Sequence, residues 1–104
     1  MTIQFNADNN LTIHEEFRDK LKDLLTEELS RFSESITRLE VHLSDENGHK
    51  QGQNDKKCLL EARVEGRPPI AVKALANNYE LAVDAAVDKL KSSLDTLFGR
   101  LNKQ

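Results

Sequence analysis

Apolar and polar residues alternate in four stretches of this chain and recur at helical spacing in two others. Ile3, Phe5 and Ala7 alternate with Gln4 and Asn6, which predicts a short strand closed by the turn-prone run Asp8-Asn9-Asn10. Thr12 and Glu15 then stand at capping-box spacing, where the hydroxyl accepts from a free helix amide and the carboxylate reaches back to the cap. Phe17, Leu21, Leu24, Leu25, Leu29 and Phe32 share one stripe of a helix expected from about residue 13 to 32. Glu15, Asp19, Lys22, Asp23 and Glu27 fall on its opposite face.

Residues 36–44 alternate again. Leu39, Val41 and Leu43 point one way, and Arg38, Glu40, His42 and Ser44 the other. A polar stretch with two glycines, residues 45–56, follows; it is long for a hairpin loop and is a candidate contact site. Over residues 57–65, Cys58, Leu60, Ala62 and Val64 face a core while Glu61, Arg63 and Glu65 face away. Gly66-Arg67-Pro68-Pro69 predicts a turn, and Ile70, Val72 and Ala74 a further strand with Lys73 on its other side. Asn77 or Asn78 caps a last helix, with Glu80 at capping-box distance from Asn77. Val83, Val87, Leu90, Leu94, Leu97 and Leu101 make its stripe, and Gly99 is expected to end or fray it.

The order strand, helix, three strands, helix predicts an α+β fold, βαβββα. The first two strands run parallel through a crossover, the rest form an antiparallel meander, and both helices cover one face of the four-stranded mixed sheet. The other face, bearing Arg38, Glu40, His42, Glu61, Arg63 and Lys73, is left to water or a partner.

A length of 104 residues suits one domain over residues 1–104, large enough to bury a core without metals or disulfides. No apolar run approaches the ~20 residues needed to span a bilayer. The first residues lack the pattern of a secretory signal, so a cytoplasmic location and no membrane partner are expected. Cys58, the one cysteine, has no partner for an internal disulfide and is expected to be a small buried side chain.

The net charge of −3 is unfavourable for a nucleic-acid binder, but the distribution matters more than the sum. Residues 1–35 hold eight acids and four bases; residues 36–77 hold six acids and seven bases. The first third is acidic and the middle mildly basic.

Catalytic chemistry finds little footing. His14, His42 and His49 show no metal-ligand spacing with Cys58, and Gly48 and Gly52 fit no phosphate loop. Asp84 and Asp88, one helical turn apart with Lys91 beyond, are expected to be solvated helix charges. No nucleophile–base pair stands out. The expectation is a non-enzyme with no catalytic residues, metal, cofactor or small-molecule substrate.

Several strings, in order along the whole chain, resemble the ribosome hibernation-promoting factor / ribosome-associated inhibitor (HPF/RaiA) family. In the last helix Ala82-Val83-Asp84 is followed by Asp88-Lys89-Leu90. The first helix has Phe17-Arg18 near its start and Leu29-Ser30-Arg31-Phe32 at its end. The run Ile36-Thr37-Arg38-Leu39-Glu40-Val41-His42-Leu43-Ser44-Asp45-Glu46-Asn47-Gly48 is similar to a small-protein subgroup. The resemblance implies a domain similar to a double-stranded RNA-binding domain with an added strand. It also implies a factor that binds the small ribosomal subunit and its rRNA in the mRNA and tRNA channel, inhibiting translation or promoting hibernation under stress. The chain matches a short form, expected to lack the C-terminal dimerisation domain of long members and to be monomeric off the ribosome.

Two stretches depart from the family. Glu27 and Glu28 stand where bases are expected, and Ser92, Ser93, Asp95 and Thr96 occupy a usually basic stretch. The candidates for phosphate contact are Arg18, Arg31, Arg38, Arg63, Lys73, Lys89, Lys91 and Arg100, each also readable as a solubility charge. The alternative is a protein-interaction module of the same fold that has lost ribosome binding, consistent with the negative charge and the acidic first helix.

Overall fold

The computed structural model describes residues 1–7, 14–46 and 55–102, with the side chains of residues 100–102 excepted. Four strands form one sheet in the order β1-β2-β3-β4: β1 (Thr2–Ala7), β2 (Ile36–Asp45), β3 (Lys56–Val64) and β4 (Ile70–Ala76). β1 runs parallel to β2, and the other two pairings are antiparallel. Helix α1 (Glu15–Glu28) joins β1 to β2, and α2 (Tyr79–Asn102) follows β4. This is the βαβββα arrangement that the periodicities predict.

α1 is shorter than the apolar stripe suggests. His14, in extended conformation, is its N-cap and makes no side-chain cap bond; Thr12, with its expected capping box, lies outside the described residues. Glu15 and Glu16 set negative charge against the free amides of the first turn. The α-helix stops at Glu28, and Ser30–Phe32 continue as one 3-10 turn. The tighter winding lets residues three apart eclipse, so Leu29 and Phe32 both keep facing the core.

β2 carries a bulge. Ile36 pairs with Val64 and Arg38 with Arg63, so two residues advance on β2 for one on β3. The extra residue, Thr37, donates its hydroxyl to the Arg63 carbonyl at 3.2 Å. The bulge turns Ile36 to the same side as Leu39, and both are fully enclosed. At the next turn the Arg67 amide bonds to the Val64 carbonyl at 3.0 Å. Gly66, with φ at 73°, takes the left-handed position that a side chain would strain.

α2 begins at an Asn78 cap. The Asn78 Oδ1 accepts from the Leu81 amide at 2.8 Å, and its carbonyl from the Ala82 amide at 3.0 Å. The third helical residue is therefore Leu81, and Glu80 is not at capping-box distance from the residue that caps. Asn78→Ala will cost about 1 kcal/mol of stability by orphaning that amide, a loss that urea titration resolves. Gly99 does not end the helix, which runs on to Asn102. Phe98, whose ring stacks on Phe32 with centroids 5.9 Å apart, ties that last stretch to the 3-10 turn.

One hydrophobic core lies between the sheet and the helical layer. Leu39, Val41 and Leu43 of β2 and Cys58, Leu60, Ala62 and Val64 of β3 meet Leu21, Leu25 and Leu29 from the α1 side and Val83, Val87, Leu90 and Leu94 from α2. Both helices thus lie on one side, and no described element covers the opposite face of the sheet.

Candidate functional site

The strand registers place the open face in four rungs, two residues apart along each strand. Thr2, Arg38 and Arg63 form the first; Gln4, Glu40, Glu61 and Ala71 the second. Asn6, His42, Leu59 and Lys73 form the third; Ser44, Lys57 and Leu75 the fourth. Each rung is about 7 Å from the next. A cationic rung is thus followed by an acidic one, then by two that mix bases with leucines.

Side-chain contacts on this face are sparse. Arg38 hydrogen-bonds through Nη2 to Gln4 Oε1, and lies 3.9 Å from Glu40 Oε1. His42 Nε2 lies 3.4 Å from Glu61 Oε1 without the alignment of a hydrogen bond. Arg38 Nε and His42 Nε2 are both enclosed and make no hydrogen bond among the described residues. Lys57 pairs with Glu46 at 3.2 Å. At the closing end of the β2–β3 pair, the Lys56 ammonium sits between Asp45 Oδ2 at 3.0 Å and Asp55 Oδ1 at 3.1 Å. Those two hydrogen bonds, Asp45 first, hold its pKa above the usual lysine value. The strands therefore pair out to Asp45 and Lys56, inside the polar stretch expected as a loop; residues 47–54 of it lie outside the described residues.

The helical layer is organised by ion pairs across its seam. Lys20 meets Glu80 at 3.1 Å, Lys91 meets Glu28 at 3.5 Å, and Arg31 pairs with Asp95 while its guanidinium also lies 4.7 Å from the centre of the Phe32 ring. Asp84 sits in an acidic neighbourhood. Partial burial, then the charges of Glu80, Asp88 and Glu28, raise its pKa, with Lys20 opposing. A raised carboxyl pKa favours the protonated form in the fold, so the associated stability is complete at low pH and lost as pH rises through the folded value. Asp84→Asn will accordingly raise the urea midpoint at pH 7. The gain will shrink as pH falls through the raised folded value and vanish well below about 4, where the carboxyl is neutral in folded and unfolded chains alike.

The eight expected contact residues do not converge on one surface. Arg38, Arg63 and Lys73 share the open sheet face. Lys89, on α2, donates to the Lys73 carbonyl at 2.8 Å, which brings its charge to the outer edge of β4. Arg31 and Lys91 are engaged in the helical seam, and Arg18 is exposed on α1. Arg100 lies in α2 with its side chain outside the described residues. Tyr79, the first residue of α2, is half-buried against the core.

The periodicity reading passed over Lys57, Leu59 and Leu75 on the open face. Cys58-Leu59-Leu60 and Ala74-Leu75-Ala76 are runs of three apolar residues, and alternation forces one of each run outward. That signal was present in the chain. Leu75 is 49% exposed, so an apolar side chain stands among the lysines of this face.

Among the described residues no cluster of His, Cys, Asp and Glu is arranged to hold a metal ion. An open groove of about 420 Å³ between β4 and α2 is lined by Ile70, Ser92, Ser93, Thr96 and Leu97, none of them titratable in the neutral range. No described helix is long and apolar enough to cross a membrane.

Comparison with known proteins places this geometry. The fold matches the N-terminal domain of Protein Y from Thermus thermophilus with a TM-score of 0.72 and 22% identity, over 93% of this chain and 99% of that one. It matches a ribosomal subunit interface protein from Coxiella burnetii with a TM-score of 0.72 and 18% identity, over 95% and 99%. No curated protein sequence matches the chain. The family model described as Sigma 54 modulation protein / S30EA ribosomal protein matches residues 3–102. The chain therefore belongs to the Sigma 54 modulation protein / S30EA ribosomal protein family, a family of ribosome-associated factors.

Proposed function

We propose that this protein is a ribosome-associated factor that binds the small subunit in the mRNA and tRNA channel, contacts rRNA there, and inhibits translation or promotes hibernation under stress. The observation that carries this reading is the family match over residues 3–102, nearly the whole described fold. It acts as one HPF/RaiA-like domain over residues 1–104, in the cytoplasm, as a monomer off the ribosome, by binding rather than by catalysis. Recognition of rRNA is by shape and phosphate geometry, through cations drawn from Arg18, Arg31, Arg38, Arg63, Lys73, Lys89, Lys91 and Arg100.

One observation favours a second reading, a protein-interaction module of the same fold. Leu75 is exposed and Leu59 half-exposed on the open face, and apolar side chains on a flat sheet suit a protein partner. Co-sedimentation of the purified protein with small subunits and whole ribosomes, at low and physiological salt, separates the two. The ribosome reading requires co-migration that weakens as salt rises. A folded protein that stays at the top of the gradient at both salts supports the interaction module.

A further inference from the structure

We propose that this chain docks on RNA through the open face of its sheet, with the opposed pair Arg38 and Arg63 gripping a phosphate and the helical layer turned away from the RNA; this placement presupposes the ribosome association proposed above.

Charge separates the two sides. α1 carries six acids and three bases, and α2 four acids and three bases. Three cations of the helical layer, Lys20, Arg31 and Lys91, are already engaged with Glu80, Asp95 and Glu28. A polyanion laid on the helices meets mainly uncompensated carboxylates. The open face instead carries Arg38, Lys57, Arg63 and Lys73 against Glu40 and Glu61, with Arg38 near Glu40 and Lys57 paired to Glu46. Among the described residues, no carboxylate lies within ion-pair distance of Arg63 or Lys73. Lys89 adds its ammonium at the Lys73 edge.

The pairing on the first rung points to an anion. Arg38 and Arg63 stand directly opposite each other on adjacent strands, an arrangement that disfavours the sheet. Exchanging the types at positions 61 and 63 would have set opposite charges on both rungs. The sheet instead sets two arginines opposite each other; the Arg38 guanidinium leans on Gln4 and Glu40, and an anion that draws it back towards Arg63 relieves the repulsion and accepts from both. The next rung opposes Glu40 to Glu61. Those carboxylates reject phosphate but accept from the 2′-hydroxyl and base amino groups of RNA. Cations therefore recur on either side of an acceptor rung, with rungs one and three about 13 Å apart. A simple polyanion has no use for the acceptors between; an RNA strand, with donors between its phosphates, does. Leu59 and Leu75 leave the far end flat enough for riboses to lie against.

The test uses the full chain and purified small ribosomal subunits, with binding titrated over a range of salt. Arg38→Gln with Arg63→Gln should weaken binding on the order of a hundredfold, as expected for two lost charge-assisted contacts. The slope of log affinity against log salt should fall by about 0.7–0.9, the contribution of one phosphate. Lys20→Gln with Lys22→Gln, on α1, should change neither. Melting temperature guards against misfolding: the arginine variant should melt within a few degrees of wild type, because relief of the like-charge pair offsets the exposed Arg38 contacts to Gln4 and Glu40. The proposal is overturned if the arginine variant binds as wild type while Arg18→Gln, Arg31→Gln and Lys91→Gln together abolish binding. In that case the ribosome reading stands and the helices are the docking side. Wild-type protein that fails to bind subunits at any salt overturns both.

Discussion

Leu60→Ala will lower the stability of the protein by about 3 kcal/mol, within the 2–5 kcal/mol range for emptying a fully enclosed leucine site. Leu60 lies in β3, one of the two interior strands, between Val41 of β2 and Val72 of β4, and is fully enclosed by the helical layer. Its loss combines transfer of the missing carbons with a cavity that a paired strand, fixed on both sides, closes poorly. For a domain of this size that is a substantial part of a total of about 5–15 kcal/mol, and the melting temperature should fall by roughly 12–24 °C. The neighbouring Leu59 provides the contrast. It projects from the other face, half-exposed, opposite His42 and Lys73. Leu59→Ala should change stability by less than about 1 kcal/mol. Urea midpoints of the two variants read the facing of β3 directly; equal losses would contradict it.

Cys58 will be nearly inert to thiol reagents in the native protein. Its side chain is fully enclosed, opposite Leu43 on β2 and Ala74 on β4, and burial pushes its pKa up to about 12. Only the thiolate attacks, and at pH 8 that shift alone cuts the thiolate fraction about a thousandfold relative to an ordinary thiol. Labelling with a disulfide reagent should therefore be slow in buffer and fast in denaturing urea. In buffer its rate should follow the population of opened chains. The same shift has a sign for stability. The folded thiol keeps its proton while the unfolded one loses it above about pH 9, so the contribution is complete below that pH and lost as pH rises towards 12. Rapid stoichiometric labelling of native protein would show that the thiol is not where the core places it.

The strand and helix pattern was legible because one-sided burial imposes a period. β2 shows this most clearly: Leu39, Val41 and Leu43 are enclosed and Glu40, His42 and Ser44 are not. Where a local rule competed with packing, packing prevailed. Gly99 has the residue type of a helix end, yet Leu97 and Phe98 pack on the core and carry the helix past it. The stripe to Phe32 suggested one long helix, but a stripe cannot distinguish α from 3-10 winding when its last step is three residues. The bulge at Thr37 left a trace in the order apolar, polar, polar, apolar at positions 36–39, which strict alternation does not allow.

The candidate site was legible in residue type and not in arrangement. Arg38, Arg63 and Lys73 could be assigned to the open face from alternation alone. That Arg38 stands opposite Arg63 depends on the β2–β3 register, and hence on a connection whose length in paired residues the sequence does not state. That Arg31 and Lys91 are engaged by Asp95 and Glu28 depends on partners 64 and 63 positions away, set by how α1 lies against α2. Charge counts along the chain register neither fact.

The parallel pairing of β1 has a consequence for the order in which the chain assembles. The β2-β3-β4 meander and α2 are joined by neighbouring segments, so their contacts close early at small entropic expense. β1 finds β2 only after α1 and the 3-10 turn have been threaded between them, with Thr2 pairing to Arg38. It is also an edge strand with no residue fully enclosed. Topology thus predicts that β1 joins the sheet last and leaves it first, so its amides should exchange with solvent ahead of those of β3.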